Sequence, residues 1–545
     1  MDTIRYSFFG EICHYLSGGR MFRYPDQAPG FKYIFESDDS PITFETPENV
    51  EKNSAENSRS RSTVNPEEEA KEEGNDPTLI GWYGPDDPED PHNWSNLKKT
   101  FVIVQICFIT VSLYMGSSIY TPGVAELTED FGISTVVATI PLCVYVLGYG
   151  IGQMIAAPLS EIPAIGRNWV YMPTAFIFVV LQVPTALSKN IGSLIVLRFI
   201  CGLLCSPALS NGAASLGDFL PPHYVPYGIA IWGGTAVFGP VLGPLLGGVF
   251  AQVLGWRWTF WFMLWISALS FGLIFFFLPE TYGPTILSRR AARLRRSTGN
   301  PSLTTKGDLD FAAVTTGAMV QENLIRPFII SFTEPGVLML NIYVGFMYAV
   351  MYTWFEAFPI VFVEMHHFNL IENGLTYIGL LMGCATSCAI YLYLIGHYMV
   401  PWIVAGVRPE KLFKLSFAFA PLLPISMIFF GWTGTPNIHW IVPVIASSTF
   451  GVGGFVVFQV IFNYLGLSYP RYLASVFAGN GLFRSFMAAA FPLFARQLFV
   501  KLGPSKFPVG FGSTVLAGIG LVLACMPYFF YHAGHLMRVR SKYAN

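Results

Sequence analysis

Apolar stretches of about 20 residues recur along the chain from about residue 100 onward, separated by shorter polar connections. Each stretch is close to the length that an α-helix needs to cross a hydrocarbon core of about 30 Å. The pattern therefore predicts an all-α polytopic membrane protein with twelve transmembrane helices. They are expected near 101–119, 135–158, 169–188, 192–216, 227–252, 258–278, 337–361, 374–398, 413–432, 438–464, 472–495 and 511–532.

A polar connection between the sixth and seventh stretches divides the helices into two sets of six. This connection is basic, with Arg289-Arg290 followed by Arg293-x-Arg295-Arg296. Two equal sets of helices are typical of secondary transporters that are built as repeats. We predict an N-terminal six-helix bundle at 96–280, a basic cytoplasmic linker at 281–334, a C-terminal six-helix bundle at 335–535 and a cytoplasmic tail at 536–545.

Residues 1–95 differ from the rest, because they contain no long apolar run and carry clusters of glutamate around residue 70. A segment of this kind buries too little apolar surface to offset its loss of conformational entropy. We therefore predict a cytoplasmic, largely disordered, acidic N-terminal tail. Two parts are expected to be more ordered: the aromatic-containing stretch 1–33 and the run 86–94, in which Trp94 is placed to anchor at the headgroup layer.

Composition supports a membrane protein and excludes several other classes. Hydrophobic residues make up 53% of the 545 residues and charged residues 12%, about half the charge content of a soluble protein. The 32 Lys and Arg against 34 Asp and Glu give a net charge of −2, without the basic surplus of a nucleic-acid-binding protein. The eight cysteines lie mostly in apolar stretches, where buried structural thiols are the favoured interpretation over a soft-metal site.

Positive charges predict the orientation of the helices. If both termini lie on the same side of the membrane, 17 of the 24 Lys and Arg residues after position 95 fall on that side. Because cytoplasmic loops are enriched in these residues, we expect both termini to be cytoplasmic.

Motifs of soluble enzymes are missing from the sequence. It contains no nucleotide-binding P-loop, no His-Glu-x-x-His zinc pattern and no Gly-x-Ser-x-Gly nucleophile motif. We therefore expect neither an enzyme nor an ATP-driven pump, and we expect no catalytic residues, no metal and no other cofactor.

Three charged side chains lie well inside predicted spans, where an unpaired charge costs several kcal/mol. Glu356 is the only carboxylate well inside a span, and a carboxyl group removed from water holds a proton more readily, as a proton carrier must. A structural hydrogen bond at the outer interface is the alternative. Arg198 shares one helix face with Leu194 and Gly202, and a lipid-facing side chain is its alternative. Arg484 is a candidate for structural pairing, with Glu356 as one partner to consider.

The fifth span contains Gly239-Pro240, Gly243-Pro244 and Gly247. Glycines at a four-residue period give a smooth helix face for close packing. An ordinary helix kinked by its prolines is the alternative interpretation.

A short polar loop is predicted between the second and third spans. It contains Glu161 and Arg167, whose opposite charges can pair with each other or with helix ends. Such a pair can hold one conformation and release in another, so we predict a conformational latch here.

These patterns together resemble the major facilitator superfamily and, within it, the fungal drug:proton antiporters with twelve spans. The glycine ladder is similar to the antiporter signature of the fifth helix, and Leu194-x3-Arg198-x3-Gly202 is similar to the fourth-helix signature, whose Arg is implicated in proton transfer. The segment from Gly150 to Arg167 resembles the loop signature of the superfamily. Further stretches resemble the yeast multidrug transporters that confer azole and benomyl resistance, namely Asp87-Pro88-Glu89-Asp90-Pro91, Tyr114-Met115-Gly116-Ser117, Trp256-Arg257-Trp258-Thr259 and Leu278-Pro279-Glu280-Thr281.

The resemblance implies proton-coupled export of small, largely apolar drugs, toxins or metabolites across the plasma membrane. Two rocking bundles would expose a midplane cavity to each side in turn, with the proton gradient as the energy source. The expected partners are a neutral or weakly cationic drug-like molecule, protons and the lipid bilayer, with no nucleic acid and a monomeric chain. A narrow exporter of one secondary metabolite is the alternative, and an uptake symporter for a nutrient is less favoured.

Residue roles follow from the resemblance and from position within the spans. Glu356 and Arg198 are the expected proton-coupling residues. The cavity is expected to be lined by Tyr114, Asn341, Trp354, Phe358, Gln459, Asn463, Asn480, Phe483 and Arg484.

Overall fold

The structure is a computed structural model in which residues 2–27, 78–314, 317, 321–503 and 506–544 are described. Eleven of its helices are long and apolar enough to cross a membrane, and no β-strand occurs among the described residues. The predicted all-α, polytopic class is therefore confirmed. With one shorter apolar helix, α9, the membrane helices are α1 (Asn96–Met115), α2 (Thr135–Ser160), α3 (Asn168–Ala186), α4 (Ile191–Phe219), α5 (Val225–Leu254), α6 (Arg257–Phe277), α7 (Pro335–Phe358), α8 (Leu370–Leu394), α9 (Leu422–Thr433), α10 (Ile441–Ser468), α11 (Leu473–Leu502) and α12 (Gly510–Ala524 with Met526–Arg540).

Polar caps determine where several of these helices begin. The side chains of Ser95, Ser134 and Asn190 each accept a backbone N–H from the first turn of α1, α2 and α4. At the start of α8, Asn369 and Glu372 form a capping box, in which each side chain accepts the other residue's backbone N–H. These caps satisfy N–H groups that have no partner within the helix.

The ninth span differs from the prediction. We expected a continuous helix near 413–432, whereas the α-helix begins only at Leu422 and is 12 residues long. A 3-10 helix, Pro409–Ser416, and a series of turns precede it. Pro421 and Pro424 explain the late start, because proline has no N–H and is tolerated only at the first turn of an α-helix.

Two helices extend beyond their predicted ends through less regular turns. A π-helical segment, Pro359–Met365, follows α7, and the segments Ile395–Met399 and Val400–Val404 continue α8. Outside the membrane helices, the described chain forms the helices Phe8–Leu16, Val124–Phe131, Gly283–Thr298, Lys306–Ala313 and Arg326–Thr333. The end of the molecule that carries Phe8–Leu16 and Gly283–Thr298 is called the linker face below, and the opposite end the far face.

The membrane helices pack as two groups of six. In the first group α2 lies along α4, α1 along α5 and α3 along α6, and in the second α7 lies along α11, α8 along α10 and α9 along α12. The two groups meet where α2 packs on α11 and α5 packs on α8. Small residues permit these contacts, since Gly150 of α2 faces Ser485 of α11 and Gly374 of α8 lies against the backbone of Leu245 in α5.

A buried ion cluster ties the chain before α1 to the helix Gly283–Thr298. The guanidinium of Arg290 lies 2.7 Å from Asp87 and 2.8 Å from Glu89, and all three side chains are buried. Arg293 of the same helix contacts Glu89 and Asp26 at 3.0 Å and 2.7 Å. Burial by itself would raise the pKa of Asp87, but the hydrogen bonds and charge of Arg290 outweigh it and hold that pKa below its ordinary value.

The structure describes only part of the segment that was predicted to be a disordered tail. Residues 28–77 lie outside the described residues, so the prediction is not assessed there. Trp82, Tyr83, Asp87 and Glu89 contact Arg290 of the helix Gly283–Thr298. Phe8 packs against Trp169 and Phe275 beside α3 and α6. Trp94 is buried against Phe219 with ring centroids 5.7 Å apart, and its position at the headgroup layer stays a prediction.

Replacing Arg290 with Ala tests the ion cluster. The substitution leaves the buried carboxylate of Asp87 without its cation and leaves Glu89 with Arg293 alone, which costs about 3 kcal/mol or more. We expect amides in the segment 80–93 to exchange at least about a hundredfold faster in hydrogen-exchange mass spectrometry. Arg296→Ala, on the exposed side of the same helix, is the control and should leave exchange unchanged. Equal exchange in both variants would contradict this account of the cluster.

Candidate functional site

A network of tyrosine hydroxyl groups closes the space between the two bundles. Tyr114 of α1 donates to Tyr149 of α2 at 3.0 Å, and the hydroxyls of Tyr149 and Tyr352 of α7 lie 3.4 Å apart. Tyr352 in turn donates to the hydroxyl of Ser117 at 3.1 Å. All four side chains are buried. The network therefore connects the first bundle directly to the second.

Arg198 joins this network from α4. Its guanidinium donates to the carbonyl oxygen of Ser117 at 2.9 Å and lies over the rings of Tyr145 and Tyr120, with its carbon 4.3 Å and 5.1 Å from the ring centroids. Only 2% of Arg198 is exposed, so the lipid-facing alternative is wrong. Gly202 explains the burial, because the face of α4 that carries it lies directly on the backbone of Tyr145.

Arg484 is held by aromatic rings rather than by a carboxylate. Its guanidinium carbon lies 4.4 Å from the ring centroid of Tyr348 and 5.5 Å from that of Phe458. Among the described residues it forms no ion pair, and Glu356 in particular is not its partner. The pairing that we considered from the sequence is therefore absent, because Glu356 lies towards the far face.

Glu356 connects α7 to α2. Its carboxylate accepts a hydrogen bond from the hydroxyl of Thr139 at 3.3 Å, near the start of α2 on the far face. The side chain is half-buried and has no ion-pair partner among the described residues. This contact is the hydrogen bond that the structural alternative expected, and the proton-coupling role of Glu356 stays a prediction.

The glycine ladder of α5 packs against the far-face end of α1. A Cβ atom at Gly239 would lie 3.0 Å from the Cβ of Tyr114. Gly243 and Gly247 lie directly against the turn that follows α1 in the chain. Pro244 has no N–H, so the carbonyl of Pro240 one turn earlier loses its helical partner. The hydroxyl of Ser118 donates to that carbonyl at 2.5 Å, which joins α1 to α5 at the proline step.

In the predicted latch at the linker face, Arg167 pairs mainly with a different carboxylate from the predicted Glu161. Arg167 lies 3.2 Å from Asp218 at the end of α4, whereas its distance to Glu161 is 3.7 Å and Glu161 is 44% exposed. Thr281 also donates to Asp218 at 3.0 Å. Sequence reasoning missed Asp218 because 51 residues separate it from Arg167. The available signal was that Asp218 is the one acidic residue at the end of the fourth span.

Several predicted cavity residues pack within the second bundle instead. Trp354 and Phe358 stack on Phe430 of α9, with ring centroids 5.1 Å and 5.2 Å apart. Their rings therefore fill the interior of that bundle and do not line a cavity between the bundles.

The predicted amides are also engaged in contacts of their own. The side chain of Asn480 donates to Asn341 at 2.8 Å, which pairs α11 with α7. Asn463 donates to the hydroxyl of Tyr391 at 2.9 Å. Gln459 alone reaches the other bundle, where it faces the backbone carbonyl of Ala230 at 3.5 Å.

Phe483 lies on the outside of α11. It lines a surface groove and packs against Phe332, with ring centroids 5.8 Å apart. The helix turns its side chain away from the interface between the bundles, so Phe483 is not a cavity residue in this conformation.

The remaining space between the bundles is small. A cavity of about 40 Å³ lies between α5, α7, α8 and α10, lined mainly by Val237, Met347, Tyr348, Met351, Phe455 and Phe458. Drug-sized compounds need cavities of about 300 Å³ or more. This conformation is therefore closed around the centre, and the walls that would enclose a compound are apolar and aromatic, with Arg484 behind them.

Comparison with known proteins assigns the chain to a protein family. Residues 106–492 match the family model described as the Major Facilitator Superfamily. The chain is 42% identical to the cycloheximide resistance protein of Candida maltosa, over 99% of each chain, and 43% identical to fluconazole resistance protein 1 of Saccharomyces cerevisiae, over 86% of each chain. The proton:xylose symporter XylE of E. coli has a similar fold, with a TM-score of 0.56 and 16% identity over 81% of this chain and 96% of that chain.

Replacing Asp218 with Asn tests the revised latch. Arg167 is 4% exposed and would keep only the distant, half-exposed Glu161 as a carboxylate partner, so we expect a loss of about 3 kcal/mol in the free energy of unfolding. Glu161→Gln, which removes an exposed partner, should cost about 1 kcal/mol or less. Thermal unfolding of the purified full-length protein measures both. A larger loss for Glu161→Gln would return the main role to Glu161.

Proposed function

The chain belongs to the major facilitator superfamily, and from this we propose that it exports small, largely apolar toxic compounds in exchange for protons. Membership makes the protein a multi-pass membrane transporter rather than an enzyme. The observation that carries the proposal is the extent of likeness to the cycloheximide and fluconazole resistance proteins, which covers nearly all of the membrane region. The apolar, aromatic walls of the central cavity support it, since such walls suit drug-like molecules.

Orientation forms part of the proposal. The linker face carries the basic helix Gly283–Thr298, with five arginines, and the side rich in Lys and Arg normally faces the cytoplasm. Both termini would then be cytoplasmic, and the plasma membrane is the location that suits an exporter of external toxins. Glu356, on the far face, would lie near the side from which protons enter.

The proposed cycle uses the contacts between the bundles. A compound enters from the linker face when α2 and α11 separate, and the bundles then close around it as in the present structure. Protonation of Glu356 from the far face removes its charge, weakens its acceptance of the Thr139 hydrogen bond and allows α2 and α7 to part. After release, loss of the proton to the cytoplasm resets the cycle.

Arg198 couples the protonation of Glu356 to the tyrosine network between the two bundles. Through the backbone and hydroxyl of Ser117 it is linked to Tyr352, four residues before Glu356 on α7. A shift of α7 upon protonation therefore also changes the contacts of Arg198 in the first bundle. The role of Arg198 in this account is to position α7 rather than to carry the proton.

An exporter of one secondary metabolite is the second candidate. Its cavity would be built from the same kinds of residue, so the breadth of a toxin panel distinguishes the two. Expression in a pump-deficient yeast should alter sensitivity to several unrelated toxins if the protein is a broad exporter, and to a single class if it is narrow. No change for any toxin would reject export altogether.

Glu356→Gln tests proton coupling. The protein is reconstituted into proteoliposomes, and a pH gradient is imposed across their membrane. The wild type should transport an apolar toxin faster with this gradient than without it. The variant should lose this difference, because glutamine cannot ionise, while it retains the acceptor for Thr139.

Glu364→Gln is the matched control. Glu364 lies eight residues further along and pairs with Arg496 at an exposed site, so the gradient should still accelerate export in this variant. Gradient-independent export by the wild type, or gradient-driven export by Glu356→Gln, would remove the assigned coupling role.

A further inference from the structure

The closed centre contains an excess of positive charge. Arg198 and Arg484 are both buried between helices, and neither forms an ion pair with a described carboxylate. The intramembrane carboxylate, Glu356, is engaged with Thr139 towards the far face. The three groups together therefore carry a formal charge of +1 when Glu356 is ionised and +2 when it is protonated.

Arg484 is the cation beside the central cavity. Tyr348 and Phe458, the two rings over which its guanidinium lies, also form part of the cavity wall. The side chain is 7% exposed and makes no hydrogen bond to a described residue, and its Nε is buried without an acceptor. A guanidinium has five N–H donors and no acceptor, so this group can satisfy itself only with an incoming oxygen or nitrogen lone pair.

The helix that carries Arg484 supplies no compensating charge. Gly481 lies one turn before Arg484 on α11, at the spacing where a carboxylate would pair with an arginine. A Cβ atom at Gly481 would meet Oε1 of Gln153, so the flexible amide of Gln153 has to shift when a side chain is introduced here. Glycine at position 481 therefore leaves the charge of Arg484 without a carboxylate partner on its own helix.

We propose that the central cavity selects compounds that bring a hydrogen-bond acceptor or a negative charge to Arg484, and that it rejects permanent cations. The inference rests on the proposed function, because it names the chemical class that the exporter takes. A cation in this cavity would meet a like charge in a medium of low dielectric constant, where repulsion is poorly screened. A neutral compound with a ring nitrogen or a carbonyl would instead satisfy donors that now have no partner.

A matched pair of probes separates these cases. Acridine is a flat, apolar molecule whose ring nitrogen is an acceptor at mildly alkaline pH, and N-methylacridinium is the same ring system with that acceptor blocked and a permanent positive charge. Binding of each to the purified full-length protein in lipid nanodiscs is measured by fluorescence titration, with empty nanodiscs as the blank. We expect the wild type to bind acridine at least about tenfold more tightly.

Two variants at one position test the cause. G481D adds a carboxylate one turn from Arg484, and G481N adds a side chain of the same size without charge. G481N should keep the preference of the wild type, whereas G481D should abolish or reverse it by admitting the cation. R484Q, which removes the charge directly, should also bring the two affinities within about threefold.

Each outcome is decisive. Equal binding of both probes by the wild type, binding of neither, or the same preference in G481D and G481N would overturn the inference. Those results would leave export itself standing, because that function is decided by the toxin panel. Absence of any resistance phenotype together with a strong preference for acridine would reject the exporter while the selective site remained.

Discussion

Aromatic burial of guanidinium groups is the interaction on which the centre of this molecule depends. Arg198 and Arg484 come from different bundles, and each is removed from water and placed over tyrosine or phenylalanine rings instead of beside a carboxylate. Rings offset part of the desolvation cost through their negative faces. Close helix contacts are needed to keep water away from such cations, and Gly202 of α4, which lies on the backbone of Tyr145, supplies one beside Arg198.

The same constraint explains how the two bundles are joined. The hydroxyls of Tyr114, Tyr149 and Tyr352 form the link between them, and Ser117 extends that link to Arg198. These are neutral hydrogen bonds, each of modest net strength, so they can be exchanged for bonds to water when the bundles separate. A strong buried ion pair at the same place would oppose that separation much more firmly.

Hydrophobic periodicity predicted most of the fold, and it failed where local chemistry overrides it. Eleven predicted spans correspond to long helices. The α-helix of the ninth span begins late because of Pro421 and Pro424, and a count of apolar residues does not detect this effect of proline. Individual site residues were harder to predict. Burial of Arg198 followed from the cost of a charge in lipid, but the direction of Phe483 and the role of Asp218 depend on helix rotation and on contacts between residues distant along the chain.

The ion cluster around Arg290 joins the beginning of the first bundle to its end. The segment that leads into α1 and the helix that leaves α6 are fastened to each other by Asp87 and Glu89. Those two ends of the bundle are thereby coupled and should travel as a single rigid body. Any rotation between the two halves must then carry both ends of the first bundle together, and the main-chain hydrogen bonds of Thr304 with Thr78 and Ile80 extend this fastened unit beyond the helix Gly283–Thr298.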